Sequence, residues 1–359
     1  MREDAVDFTR DDSADAVAEV VVSLLERQQA RDLDLWPPLV DSGLLAVAVP
    51  ERFGGDGMGL AEVSALLYEL ATDAAAVPAL PTLAFGVLPL LDALPAGLAE
   101  RVLGEVGKGV VLTAAVSEPG APFTAAPHTT AVRDGDTVRI TGRKVSVIYA
   151  EQARWLLIPT DQGVALVESV AKGLSVLPTP ASSGIPEATV VLEDVEVPAA
   201  QLLPGLLPTV LRHAVAGIGA TADGLLNGAI RLTAEHVRTR RQFGRPLAEF
   251  QAVAQQIADL YVVSRTLHVA AESASWALAQ DDTSPEHRAR VDEDLDVLAY
   301  WAAAELPRAM QKCHHLHGGL GVDITHPMHR YYSQAKDLAR LLGGAGLRLD
   351  NLGARCSSI

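Results

Sequence analysis

The stretch VRDGDTVRITGRKVSVIYAEQARWLLIPTDQGVALVE (Val132–Glu168) decides the fold class, because its apolar residues fall in short runs rather than on a helical stripe. Thr137–Ile140, Trp155–Pro159 and Gly163–Glu168 are such runs, rich in Val, Thr and Ile, and Asp134-Gly135-Asp136 is a turn signal between two of them. Val110–Val116 and Thr129–Val132 precede the stretch and Thr189–Leu192 follows it in the same style. Strands at this spacing predict a small antiparallel barrel or sandwich rather than alternating βαβ units. No Gly-rich dinucleotide fingerprint follows any of them, which argues against a Rossmann nucleotide site.

On both sides the periodicity changes to that of helices. Ala16–Arg31 carries Val17, Val20, Val21, Leu24 and Leu25 at helical spacing, and Ala61–Ala71 repeats this through Val63, Leu66, Leu67 and Leu70. Between them GLLAVAVPERFGGDGMG runs from apolar residues into a Pro- and Gly-rich loop. Downstream, Gln251–Ala279 places Val253, Ile257, Leu260, Tyr261, Ser264 and Leu267 on one stripe. Leu295–Lys312 reads as a buried, Ala-rich helix that Pro307 should kink or interrupt. The chain is therefore expected to be α+β, with an N-terminal helical domain (1–107), a central small β-barrel domain (108–203) and a C-terminal four-helix bundle (204–359).

A chain of 359 residues with 49% hydrophobic residues can bury a sizeable core. Two cysteines, Cys313 and Cys356, are too few for a disulfide framework and fit a reducing compartment. The N-terminal MREDAVDFTRDD is acidic, the opposite of a signal peptide. The most apolar run, Ala79–Leu94, is broken by Pro81, Pro89 and Asp92, so no membrane partner is expected and a cytoplasmic location is. A net charge of −16 argues against nucleic acid. Against that acidic average, Arg238, Arg240, Arg241 and Arg245 form a dense basic cluster suited to a phosphate-bearing ligand.

Four segments carry a resemblance. GLLAVAVPERFGGDGMGL (Gly43–Leu60), AAVSEP (Ala114–Pro119), TRRQFGRPLAEFQAVAQQIAD (Thr239–Asp259) and HLHGGLGVDITHPMHRYYSQAK (His315–Lys336) resemble, in order and spacing, segments of the acyl-CoA dehydrogenase family. Together they span nearly the whole chain. The resemblance implies the acyl-CoA dehydrogenase fold, FAD as cofactor, an acyl-CoA substrate and, as a possible electron acceptor, an electron-transferring flavoprotein.

It also implies roles for particular residues. Arg240 is a fixed cation with a planar donor fork, suited to the FAD pyrophosphate. Gln242 offers a hydrogen bond to phosphate or ribose, Phe243 an apolar face beside the adenine, and Gln251 an amide at a helix start. His315 stands where the family usually has a Gln near the adenine, and Gly318 and Gly319 permit close approach of the backbone to the nucleotide. Without the resemblance, Arg240 and Arg241 would be solvated helix-end charges and Gly318-Gly319 a helix stop. His314, His315, His317, His326 and His329 lack the spacing of a metal site.

The chain also departs from the family it resembles. There a Glu removes the α proton of the thioester while a hydride passes to the flavin. Counting from Gly319, the Glu of the family's Tyr-Glu-Gly-Thr falls on Leu342, within Leu341-Leu342-Gly343-Gly344. The alternative location, counted back from Phe243, falls on Ala214, with Arg212 and His213 beside it, and the nearest acids, Asp223 and Glu235, lie more than two turns away. No catalytic residue is therefore assigned. The family's Ala-Gly-Ser-Asp after Glu-Pro is replaced by Gly120-Ala121-Pro122-Phe123, and its Lys-x-Trp-Ile-Thr by a run in which Lys144 leads to Ser146 and Ile148. Groups that the family gives to a neighbouring subunit are kept, whereas groups used within the chain are lost. This pattern resembles the Glu-lacking partner in heterotetrameric α2β2 acyl-CoA dehydrogenases of actinobacterial sterol breakdown, which implies a Glu-bearing partner subunit and a steroid side chain as possible acyl group. The alternatives are a self-sufficient homo-oligomeric flavoenzyme with a relocated base, for which His213 is a candidate, and a flavin-free structural relative.

Overall fold

The computed structural model describes residues 11–356; the acidic stretch MREDAVDFTR, on which the reading against a signal peptide rests, lies outside them. The N-terminal part is helical because its apolar residues line single faces. Helix α1 (Asp12–Arg27) starts where the Asp11 carboxylate accepts the Ala14 N–H, and it buries Val17, Val21, Leu24 and Leu25. After α2 (Trp36–Asp41), helix α3 (Leu60–Thr72) buries Val63, Leu66, Leu67 and Leu70. The Pro-containing run Leu80–Val87 forms π-helical turns that lead into α4 (Leu88–Leu90), followed by α5 (Ala96–Leu103). Among the described residues no helix is long and apolar enough to cross a membrane.

Eight strands follow: β1 (Val111–Ala114), β2 (Thr130–Asp134), β3 (Thr137–Ile148), β4 (Ala153–Thr160), β5 (Gly163–Glu168), β6 (Leu174–Thr179), β7 (Glu187–Pro198) and β8 (Leu202–Leu203). They form two four-stranded sheets, ordered β1-β4-β5-β8 and β2-β3-β7-β6. The closed barrel expected from the strand spacing does not form. Among the described residues no ladder joins the sheets, which are linked only by an isolated Ser117–Val145 bridge. Instead the inner faces stack, Val138, Ile140, Val190 and Val195 of one sheet sharing a core with Leu156, Ile158, Ala165 and Val167 of the other. Burying those faces against each other removes the apolar surface without closure. One pairing is parallel, β1 on β4.

The C-terminal part comprises α6 (Leu207–Thr239), a hairpin of β9 (Arg241–Gln242) and β10 (Arg245–Pro246), α7 (Gln251–Leu278), α8 (Pro285–His317), α9 (Met328–Leu341) and α10 (Gly344–Cys356). Helix α8 runs unbroken through Pro307. A prolyl residue in a helix interior costs about 3 kcal/mol, and the burial of Ala302, Ala303, Leu306, Ala309 and Met310 around it offsets that. The N-terminal helices, β1 and helices α6 to α9 share one continuous apolar core.

Two contacts set the geometry of this core. Helices α3 and α6 approach until Gly228 nearly touches the backbone: a Cβ there would lie 2.0 Å from the Thr72 carbonyl oxygen. We expect Gly228→Ala to cost about 1–3 kcal/mol by overpacking, whereas Gly97→Ala, with open space around it in the exposed turn of α5, should stabilise by up to about 1 kcal/mol. Urea unfolding of both variants checks the opposite signs.

The second contact is a buried ion pair. Glu118 accepts hydrogen bonds from Lys144 Nζ (2.7 Å), Thr129 Oγ1 (2.6 Å) and the N–H groups of His128 (2.7 Å) and Thr129 (2.9 Å). This ties the loop after β1 to the entry of β2 and to β3. Burial alone would raise the Glu118 pKa, but the Lys144 and Thr129 bonds and the backbone donors outweigh it and hold the carboxyl at about 2. Because the folded pKa lies below the ordinary 4.5, this stability is present above pH 4.5 and is lost as pH falls towards 2. Glu118→Gln leaves Lys144 buried without its counter-ion and should cost about 3–5 kcal/mol at neutral pH. It should also flatten the acid limb of a stability–pH curve; an unchanged acid limb would count against the assignment.

Candidate functional site

The basic cluster becomes a projecting corner. Helix α6 ends where Arg240 leaves helical geometry and donates its N–H to the His236 carbonyl. Gln242 pairs with Arg245 across a two-residue loop in which both Phe243 (φ 51°) and Gly244 (φ 82°) have positive φ, the geometry of a tight hairpin turn. The turn holds the Phe243 ring outward, 92% exposed. Its edge meets Phe250 at 6.3 Å, and Arg245 lies over the Phe250 ring at 4.1 Å. Gln251 opens α7 directly after Phe250 and is exposed.

The second segment joins this corner through a contact the sequence did not announce. His317, the last residue of α8, stacks on His236, in the last turn of α6, with ring centroids 4.5 Å apart. Gly318 and Gly319 therefore lie beside the exit of α6. His315 is exposed in the last turn of α8. Gly318 needs to be glycine (φ 58°, ψ −135°), while Gly319 has no such conformation, and a Cβ on either would meet open space. Arg240, Gln242, Phe243, Gln251, His315, Gly318 and Gly319 are all exposed, at the exit of α6, the start of α7 and the end of α8, and the His236–His317 stack joins the first and last of these; a cation and amide donors are the groups a nucleotide diphosphate would accept from. His317 donates Nδ1–H to the Cys313 carbonyl at 2.9 Å. Its burial, and then the neighbouring His236 and His326, bring its pKa down to about 4 against that hydrogen bond, so it is neutral at pH 7. Among the described residues no group of three His, Cys, Asp or Glu is placed to hold a metal.

The interior cleft between the sandwich and the bundle is different. Helix α9 is fastened to the sandwich at two points. Arg340 reaches Glu187 (Nη2 to Oε2, 2.5 Å) and Ser146 Oγ (2.9 Å), and Asp337 accepts from Ser182 Oγ (2.8 Å) and Ser183 N–H (2.8 Å). The cavity left beside these bonds, walled by Ile148, Tyr149, Thr221, Gln334 and Leu341, is about 70 Å³, against the roughly 300 Å³ at which small-molecule pockets begin. Leu342 is fully buried, and its carbonyl accepts from Arg348 Nε at 2.7 Å. Ala214 is also buried in the core. Pro122 packs over Gly343, 2.7 Å from where a Cβ would sit. His213 donates Nδ1–H to the Thr209 carbonyl (2.9 Å), and burial lowers its pKa. It lies outside the walls of the 70 Å³ cavity.

Comparison with known proteins agrees with this frame. Residues 1–108 match the N-terminal domain, and residues 207–355 the C-terminal domain, of acyl-CoA dehydrogenases. The chain belongs to the acyl-CoA dehydrogenase family. This is a family of FAD-dependent oxidoreductases. Acyl-CoA dehydrogenase FadE28 of Mycobacterium tuberculosis is 47% identical over 98% of this chain and 99% of its own length. A chain of the ChsE4-ChsE5 complex from Mycobacterium tuberculosis superposes with a TM-score of 0.90 at 29% identity, covering 99% of this chain and 100% of that one. A variant of the Tcur3481-Tcur3483 steroid ACAD gives 0.86 at 32% identity, covering 96% of this chain and 97% of that one.

The polar bonds of α9 explain why the cleft is narrow, and they can be tested alone. Arg340→Ala should speed amide hydrogen exchange in residues 181–187 while changing global stability by no more than about 1 kcal/mol, because the arginine is part-exposed. Unchanged exchange there would show that the loop is held by other contacts.

Proposed function

We propose that this chain is the base-lacking subunit of an α2β2 acyl-CoA dehydrogenase and lends its nucleotide-binding corner to FAD seated in a Glu-bearing partner. In this reading Arg240 binds the pyrophosphate, Gln242 and Gln251 donate amide hydrogen bonds, Phe243 and His315 lie against the adenosine part, and Gly318-Gly319 lets backbone approach it. The FAD, when bound, supplies the acceptor for electrons removed from the acyl-CoA. This chain's residues bind and orient it and move no proton.

One contrast supports the reading: the region that would serve a neighbour's flavin and the cleft that would serve this chain's own differ in kind. The corner that would face a neighbour is open and solvent-exposed, with an apolar Phe243 ring held outward on a strained turn. In the cleft that would serve the chain itself, Arg340 is paired with Glu187, and a leucine stands at the base position. His213 is a poor alternative base, since it packs on its own helix away from the cleft cavity.

The heteromeric character of the ChsE4-ChsE5 relative supports a partner, and the description of the Tcur3481-Tcur3483 relative as a steroid ACAD supports a bulky, steroid-type acyl group. We further propose an electron-transferring flavoprotein as acceptor, a cytoplasmic site of action, and three units at 1–107, 108–203 and 204–359, the middle one holding the strands from β1 to β8.

FAD content and oligomeric mass, measured for the chain alone and with candidate Glu-bearing partners, test the proposal. Poor retention alone and about one flavin for every two chains in the heteromer is the expected result. In that heteromer Arg240→Ala should weaken FAD retention about 10–100-fold. Gly319→Ala, which meets nothing in its own chain, should do likewise without lowering the thermal stability of the free subunit. A homo-oligomer with about one FAD per chain and dehydrogenase activity would overturn the proposal.

A further inference from the structure

The turn that carries Gly318 and Gly319 rests on histidines. His317, only 4% exposed, stacks on His236 of α6 with 4.5 Å between ring centroids and 23° between planes. His314, one turn earlier in α8, leaves no room at Gly321: a Cβ there would lie 2.7 Å from its carbonyl oxygen and 2.8 Å from its ring. His314 also stacks on Tyr332 of α9 at 5.0 Å, and His326, in the turn before α9, meets His317 at 5.0 Å. Four imidazoles thus pin the glycine turn between α6, α8 and α9.

The hydrogen bonds suit neutral rings. His317 donates Nδ1–H to the Cys313 carbonyl, and its Nε2 is buried with no hydrogen-bond partner among the described residues. A proton on Nε2 would create a buried, charged donor with no acceptor. His326 accepts the Met328 N–H on Nδ1 at 3.2 Å, a bond that protonation there would break. The surroundings do not compensate. His236 and Arg240 on α6, Cys313 and His314 on α8, and His326 and His329 at the start of α9 are each neutral or cationic. Asp323 is an acid beside His326 and His329, but its carboxylate accepts from the Thr325 N–H and hydroxyl, both at 2.8 Å.

We propose that His317 is a positioning residue for the nucleotide-binding corner: its neutral ring, stacked on His236, holds Gly318 and Gly319 against the exit of α6, and protonation releases them. The role towards FAD rests on the flavin-lending reading; the acid-released stack does not. Burial, and then His236, His326 and His314, lower the His317 pKa from 6.5 to about 4 in the closed corner. A ring with a lowered closed-state pKa contributes stability that is full above pH 6.5 and is lost as pH falls towards 4. Between those two values, the opening constant should rise about 30-fold from pH 7.5 to pH 5. The Glu118–Lys144 pair, which titrates at about 2, stays intact over that interval.

Amide hydrogen exchange of the full-length chain tests this at residues 317–326, with protection taken relative to the intrinsic rate at each pH. Protection there should fall at least about 10-fold from pH 7.5 to pH 5, while that of β5 stays level. His317→Phe keeps a flat ring against His236 and cannot be charged, so its protection should be nearly equal at the two pH values. His317→Ala should lose protection at both. Should His317→Phe fail to fold, the His317 ring of the unaltered chain decides by NMR titration, with a midpoint below about 5 expected. Level protection in the unaltered chain, the same fall in His317→Phe, or a His317 ring titrating near 6.5 would each overturn the proposal. In the heteromer, FAD retention should weaken over the same interval, and His317→Phe should abolish that dependence. An acid-released stack with FAD retention indifferent to pH would overturn the role towards FAD and uphold the stack, so the two failures are told apart.

Discussion

Helix α9 is a strut bonded at both ends, and the shape of the molecule around it follows from those bonds. Towards its start, Arg330 donates to the Arg31 carbonyl, Tyr331 to the Thr72 carbonyl and Gln334 to the Ala74 carbonyl, at 2.7 to 2.9 Å. Towards its end, Asp337 and Arg340 hold the loop before β7 and the end of β3. One element thus sets the separation of the N-terminal helices, the sandwich and the bundle. Because its buried face, through Tyr331, Ala335, Leu338 and Leu341, also enters the common core, the strut cannot shift without uncovering apolar surface.

That constraint separates the chain's two polar regions. Along the strut, charged groups satisfy one another across the gap and leave little volume. At the far ends of α6 and α8, polar groups point to solvent, and the geometry is maintained from beneath by the His236–His317 stack and the Phe243–Phe250–Arg245 contacts. A rigid scaffold under exposed donors suits binding of something outside the chain, since little ordering entropy remains to be lost on association.

Much of this was legible in the residues. The 3.6-residue stripes of α1, α3 and α7 and the strands at Trp155–Pro159 and Gly163–Glu168 lie where periodicity put them. The strands missed were β6, whose residues are largely exposed, and the two-residue β8; neither has enough buried side chains to leave a pattern. Pro307 misled, because local propensity does not see the core packed around α8. The hairpin at Gln242–Arg245 was hidden because its turn uses Phe243 at positive φ, where a glycine or asparagine would have been the signal.

Residue identity by itself determined the family, the α+β class and the absence of a carboxylate at positions 342 and 214, since these need only types and spacing. Which polar groups are spent and which are free was decided by the tertiary structure alone. Arg340 and Arg348 lie eight positions apart in the sequence, yet one meets Glu187 across a cleft and the other is buried with a vacant donor. Ion pairing is a matter of a few ångströms between residues more than a hundred positions apart, and such distances exist only once the helices and sheets have packed.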